Sequence, residues 1–434
     1  MIRKLLGEYL SGFSATVFYS FSMRAGGAAL AFLFSIILGR VLGPAGVGVY
    51  FLALTIVNIG SIISRLGLDN AVLKFASISY SEGNLPRFSA VYRKSVVLVS
   101  VTGVFCSLLL WKFLPFFELT AAENSEFRDV VFWMLFGIVP LSLVQLQGEF
   151  LKARNQPVLG LAVQSTIHQG LLLLVVVGVA LMSPARPLLI AVAFSCSIIV
   201  TCLITMSYVI ARTGINWSES INSKTLLRMG LPLLWVSGLN LMMDWTDIIV
   251  LGMYEDSSSV GIYAIAVKVS GLISFFLIAA NSVVAPKFAA LHYQGKTDEL
   301  ETLARKCTFG LAAVGVPAAL LLGLLAVSTL NLFGPGFADG ALALRILLIG
   351  QIINVVVGPV GCILIMTGGE RVVRNNAFLA VAANVIGNLL LIPAFGMIGA
   401  AASTAGSLVL KNLLLFAYLR KRMSISTIGF FGGD

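Results

Sequence analysis

Charge is what this chain has least of. Asp, Glu, Lys and Arg make up 11% of its 434 residues, against about 25% in a soluble domain. Hydrophobic residues make up 58%, and the mean hydropathy is +0.98, which excludes a soluble globular protein. Histidine is nearly absent, with only His168 and His292. The five cysteines (Cys106, Cys196, Cys202, Cys307 and Cys362) lie in or beside apolar stretches without metal-ligand spacing, and they read as packing residues. No HExxH, carboxylate pair or nucleophile-plus-base constellation appears, and the longest outer loop is about 114–129. A polysaccharide polymerase or ligase, with a large catalytic loop, is therefore disfavoured, and the chain does not read as an enzyme. Pore-lining repeats are missing, which disfavours a channel. Continuous runs such as Leu171–Leu181 replace the alternating ten-residue segments of a β-barrel.

What is present is a succession of apolar spans, each of about 20 residues. They fall roughly at 14–39, 46–73, 91–113, 130–151, 157–182, 187–211, 228–252, 259–286, 307–333, 341–367, 372–394 and 397–419. The fold class is thus an all-α integral membrane protein with about twelve transmembrane helices. The segment 1–13 carries Ile2, Leu5, Leu6, Tyr9, Leu10 and Phe13 on one face, and it reads as an amphipathic helix at the membrane surface rather than a cleaved signal.

The cations orient the spans. Roughly twenty of the 29 Lys and Arg residues fall on the side of the termini, whereas Arg40, Lys112, Arg128, Arg186 and Arg345 fall on the other. Both termini are therefore expected to be cytoplasmic. The net charge of +10 is a topology and lipid-surface signal, not a nucleic-acid footprint.

The sequence also repeats itself. Val47-Gly48-Val49-Tyr50 recurs as Val260-Gly261-Ile262-Tyr263, a shift of 213 residues. The same shift carries Leu38-Gly39 onto Leu251-Gly252, Lys74-Phe75-Ala76 onto Lys287-Phe288-Ala289, and Tyr80 onto Tyr293. Two six-helix lobes are expected, 1–213 and 214–434. An even span count per lobe makes them parallel repeats, and such repeats frame a central cavity with alternating access.

Four cations lie inside the spans: Arg24, Arg65, Lys268 and Lys411. Each costs about 2.5–3.5 kcal/mol at the bilayer centre on insertion scales, so each needs protein, water or an anion beside it. Arg24 has no acid in its own span; it is either a substrate contact or a structural one. Arg65 and Asp69 stand at i,i+4, which suits an intrahelical ion pair or a gate. Lys268 has Asp244 and Asp247 on the preceding span, as a structural pair or as a site coupled to H⁺ or Na⁺. His168, beside Gln164 and Gln169, is a proton-relay candidate or a hydrogen-bonded packing residue. Lys411 lies in the last span, where it can snorkel less easily than a lysine at a helix end. Asn375, Asn376, Asn384 and Asn388 could line a lumen or bond across helices. Pro140, Pro232, Pro317, Pro359 and Pro393 are bending points or packing kinks.

The stretch LGRVLGPAGVGVYFLALTIVNIGSIISRLGLDNAVLKFA at 38–76 resembles the signature of polysaccharide and O-antigen flippases. So does Asp247-Ile248-Ile249-Val250-Leu251-Gly252 followed by Val260-Gly261-Ile262-Tyr263. These belong to the multidrug/oligosaccharidyl-lipid/polysaccharide exporter superfamily. The resemblance implies a flippase for polyprenyl-diphosphate-linked oligosaccharide, serving lipopolysaccharide, O-antigen or exopolysaccharide synthesis in a bacterial cytoplasmic membrane. It also implies that Arg24, and with it Arg65, meets the substrate diphosphate. The expected partners are the lipid-linked oligosaccharide, membrane lipids, and a polysaccharide polymerase with chain-length machinery. No metal and no cofactor beyond a coupling H⁺ or Na⁺ is expected. The competing reading is a cation-coupled multidrug exporter of the same superfamily. Such a cavity should present acids, and the first two spans offer two arginines against Asp69 alone.

Overall fold

The computed structural model describes residues 2–121, 125–182, 186–213, 221–423 and 425–427. Among them every regular element is helical, as an apolar chain in lipid requires when no water is available to bond its backbone. The chain divides into two compact units: 1–42 with 49–241, and 43–48 with 242–434.

The first unit contains most of α1 (Ile2–Ser64), then α2 (Leu68–Ser81), α3 (Leu85–Ala121), α4 (Ser125–Leu135), α5 (Ile138–Ala153), α6 (Pro157–Leu161), α7 (His168–Met182), α8 (Pro187–Thr213) and the first part of α9 (Ser223–Tyr254). The second holds the end of α9, then α10 (Ser257–Tyr293), α11 (Thr297–Leu324), α12 (Ala326–Asn331), α13 (Ala341–Val357), α14 (Val360–Met366) and α15 (Glu370–Met423). Residues 2–13 are the first turns of α1 rather than a separate helix, and their side chains lie outside the described residues.

Among the described residues eight helices are long and apolar enough to cross a membrane, and the pair α4–α5, bent by 41°, is a ninth candidate. Two of the eight are of double length, Tyr19–Ser64 with 46 residues and Glu370–Met423 with 54. Each is kinked at a glycine that takes the left-handed region, Gly43 (φ 65°) and Gly396 (φ 54°). A span needs about 20 residues, so each double-length helix provides two spans joined by a kink.

The second expected span, 46–73, is not one helix. It breaks after Ser64, with Leu66 and Gly67 at positive φ, and restarts at Leu68. Gly67 is required there for space as well as conformation, because a Cβ would overlap the carbonyl oxygen of Gly230 on α9. Span ten also breaks, at Gly358-Pro359 between α13 and α14. Pro140 stands just past the 41° bend and Pro393 just before the Gly396 kink, whereas Pro232 and Pro317 sit within unbroken helices. Span five contains a six-residue π-helical stretch, Ala162–Ile167.

Buried polar side chains tie helices together where hydrocarbon cannot. In the second unit, Asn412 donates to Asn354 (3.1 Å), Asn354 to Gln351 (3.3 Å), and Ser274 to Gln351 (2.6 Å), linking α15, α13 and α10. In the same unit the segment 43–48 packs against the start of α10. A Cβ on Gly48 would overlap the Ser257 carbonyl, and one on Gly261 would overlap the Pro44 carbonyl. Gly48 and Gly261, equivalent under the 213-residue shift, thus lie against each other.

Candidate functional sites

In the first unit, Arg24 stands on α1 with its side chain exposed, and it makes no hydrogen bond or ion pair among the described residues. Its turn is fixed from behind. The preceding carbonyl, Met23 O, accepts the Thr166 hydroxyl at 2.6 Å, and Gly27 lies against the Ser165 backbone. Both partners belong to the π-helical stretch of span five, whose wider turn presents groups that an α-helix would bond internally. His168 follows immediately. It is buried, with its ring edge-on to Phe194 at 5.6 Å, and its Nδ1 has no hydrogen-bond partner among the described residues.

The break after Ser64 organises a second group. Arg65 donates from its guanidinium to Asp69 Oδ2 at 2.8 Å across the break, and its Nε points to Ser61 O at 3.3 Å. Asp69 occupies the first turn of α2, where a carboxylate complements the helix dipole. On α5, Glu149 accepts from Lys152 (2.7 Å) and from Gln164 of the π stretch (3.0 Å), while Gln164 also donates to Gln145 O (2.8 Å). Gly148 leaves the room that Gln164 fills.

The second unit buries a carboxylate. Asp247 on α9 is 2% exposed. Its Oδ1 accepts the Ile248 N–H at 2.8 Å; its Oδ2 accepts the Tyr263 hydroxyl at 2.6 Å and lies 3.4 Å from Thr404 Oγ1. Asn384 donates to Thr404 and to Ser407, each at 3.4 Å, and Asn388 donates to Asn384 Oδ1 at 3.1 Å. Asn384 and Asn388 are fully buried, and Asn388 Oδ1 has no hydrogen-bond partner among the described residues. Hydrogen bonds therefore link one carboxylate, the hydroxyls of Tyr263, Thr404 and Ser407 and two side-chain amides from α9, α10 and both arms of α15. The carboxylate with hydroxyl oxygens beside it suits a proton or a hard cation.

The remaining candidates are placed as follows along the helices. Lys268 lies on α10 beyond Tyr263 and is half-buried. Lys411 is half-exposed on α15, with its carbonyl accepting from Asn376 at 2.7 Å. Asp244 is on α9, and its side chain lies outside the described residues. Of the four asparagines, Asn375 is exposed and the other three are buried and bonded. Glu149 and Thr404 are not among the sequence candidates, and Tyr263 stands out in the sequence only within the repeated Val260-Gly261-Ile262-Tyr263 motif. A carboxylate or hydroxyl at helical spacing from another polar group inside an apolar span was the available signal. Among the described residues, no three His, Cys, Asp or Glu side chains gather as a metal site.

The family model for polysaccharide biosynthesis proteins matches residues 13–292, covering α1 to α9 and nearly all of α10. The chain belongs to that family. Among curated relatives from Haloferax volcanii, it is 25% identical over 412 residues to the probable low-salt glycan biosynthesis flippase Agl15, covering 92% of this chain and 82% of Agl15. It is 28% identical over 207 residues to the probable flippase AglR, covering 45% of this chain; that match spans less than half, 43%, of AglR. The fold is that of the exporter superfamily. The lipid II flippase MurJ in an inward closed conformation aligns with a TM-score of 0.75 at 13% identity, over 92% of this chain and 87% of MurJ. An inward-facing multidrug-resistance transporter of the MOP superfamily aligns at 0.74 with 16% identity, over 94% and 98%. The protein is a multi-pass membrane protein of the polysaccharide biosynthesis family with this fold, and probable flippases of Haloferax volcanii are among the proteins it resembles.

Proposed function

We propose that this protein moves a polyprenyl-diphosphate-linked oligosaccharide across the cell membrane by alternating access, with both termini cytoplasmic. The observation that carries the reading is the Arg24 guanidinium, exposed within a membrane span and unbonded among the described residues, on a turn whose Met23 carbonyl is bonded by Thr166. A cation maintained at such a cost calls for an anion from outside the protein, and a diphosphate matches the planar fork of a guanidinium. Arg65 is a weaker candidate, since Asp69 already occupies its guanidinium. The Asp247 cluster serves as the coupling site for Na⁺ or H⁺. The sugar and the surface polymer follow from the substrate rather than from these residues. Synthesis of lipopolysaccharide, O-antigen or exopolysaccharide, a bacterial inner membrane, and a working association with polymerase and chain-length proteins are parts of the proposal.

The multidrug reading has one observation in its favour, the Asp247 cluster, which suits cation coupling equally well. A liposome assay separates the two. Purified protein is reconstituted with a fluorescent polyprenyl-diphosphate oligosaccharide, and its exposure to a membrane-impermeant quencher is followed. Transfer by wild type, loss in Arg24→Ala at normal membrane abundance, and partial recovery in Arg24→Lys are expected. Full transfer by Arg24→Ala would remove Arg24 from the mechanism. Transport of cationic dyes without lipid transfer would favour the multidrug exporter.

A further inference from the structure

On α3 and α4 of the first unit a groove of about 520 Å³ opens to the exterior. Its walls are Val104, Leu108, Trp111, Phe132, Phe136 and Val139, with Ser107 and Leu135 completing the lining. The volume is that of an ordinary small-ligand pocket, but the lining is almost wholly apolar. The Ser107 hydroxyl is spent on Gly103 O (2.9 Å) and Leu135 O (3.3 Å), so the groove offers a ligand no hydrogen bond there. The surrounding surface is lipid-facing. Only 11% of the α3 apolar window is buried, and Val101, Val104, Phe105 and Leu108 are each more than half exposed.

One end of the groove is different. The Arg128 guanidinium lies over the Trp111 ring at 5.5 Å, and Lys112 follows Trp111 with its side chain exposed. An indole bearing a guanidinium at the end of a span is the arrangement of a membrane interface. Arg128 and the sequence neighbour Lys112 thus mark the Trp111 end of the groove.

We propose that this groove is a binding site for one acyl chain of an anionic phospholipid from the surrounding bilayer, with the lipid phosphate held by Arg128 and Lys112. The chain fills the apolar walls, and the two cations select for headgroup charge. Bulk lipid supplies the occupant because the groove opens sideways to hydrocarbon and the cations stand at its interfacial end, where a phospholipid phosphate lies at the head of its acyl chains. The site is independent of the transported substrate.

Native mass spectrometry of the purified protein with equimolar phosphatidylglycerol and phosphatidylcholine tests it. Each interfacial cation should favour the anionic lipid about fivefold. Arg128→Gln should remove that factor. Ser107→Leu, which fills the groove and leaves both cations in place, should abolish retention of phosphatidylglycerol. In a variant whose only tryptophan is Trp111, chain-brominated phosphatidylglycerol should quench fluorescence more than the brominated phosphatidylcholine. Equal retention of the two lipids, or a preference that Ser107→Leu leaves intact, would overturn the proposal. Displacement of phosphatidylglycerol from Trp111 by equimolar polyprenyl phosphate would overturn it too, by making the groove a substrate site.

Discussion

Replacing Tyr263 by Phe removes one oxygen from the second unit and changes little else, because the ring is fully buried and the isostere fills the same space. The lost bond is the shortest to Asp247, at 2.6 Å from an O–H donor to a carboxylate oxygen. Hydrogen bonds to charged groups contribute about 1.5–3 kcal/mol. The substitution also removes the 3.2 Å bond between Tyr263 and Thr404 and leaves Thr404 3.4 Å from Oδ2, so a loss in this range is expected. For a unit of about 200 residues this corresponds to a fall in Tm of roughly 3–12 °C. If the cluster also binds a cation, sodium should stabilise the wild type by about 2.7 kcal/mol at 100 times Kd. Tyr263→Phe should shrink that increment, and Asp247→Asn should eliminate it. The assay is thermal unfolding in detergent, at constant ionic strength, with sodium replaced stepwise by choline. A Tm within 1 °C of wild type for Tyr263→Phe would refute the account of the buried carboxylate. An identical sodium increment in wild type and Asp247→Asn would place any coupling ion elsewhere.

Other substitutions test the helix breaks and contacts directly. Gly67→Ala puts a side chain at φ 69° and onto the Gly230 carbonyl; a loss of about 1–3 kcal/mol is expected, read as lower Tm in detergent. Gly48→Ala and Gly261→Ala should each destabilise by a similar amount because both meet backbone, and the double substitution should depart from additivity, since the two positions touch. The Arg65–Asp69 pair, with side chains 16% and 24% exposed, should show a coupling energy of about 1 kcal/mol in a double-mutant cycle of Arg65→Gln and Asp69→Asn. A coupling near zero would mean that the pair is held by its surroundings rather than by its charges.

Much of this architecture could be read before any coordinates existed. Scarce charge and continuous apolar runs specify a helical membrane protein, since the backbone in lipid admits few alternatives. Finer features escaped for a physical reason. Hydropathy averages over some 20 residues, whereas the breaks at Leu66-Gly67 and Gly358-Pro359 occupy two or three. A leucine in the left-handed region leaves no compositional trace. The spacing of Arg65 and Asp69 was visible and gave their contact, because i,i+4 holds approximately even across a tight turn. The Asp247 cluster was only half visible. Its acid and its asparagines stood out against apolar neighbours, but Tyr263 and Thr404 are ordinary residues until the kink at Gly396 turns the second arm of α15 back toward α9.

The π-helical stretch at 162–167 has a consequence for sequence length. Such a turn holds one residue more than the α-helical turn it replaces, so span five carries a surplus residue. Deleting one position there would not shorten the span so much as regularise it, letting the backbone close as a continuous α-helix. The flanking residues would keep their register, but the Thr166 hydroxyl would lose its aim at Met23. A one-residue gap in span five of a related chain would therefore mark a protein whose first helix must be anchored behind its arginine by some other means.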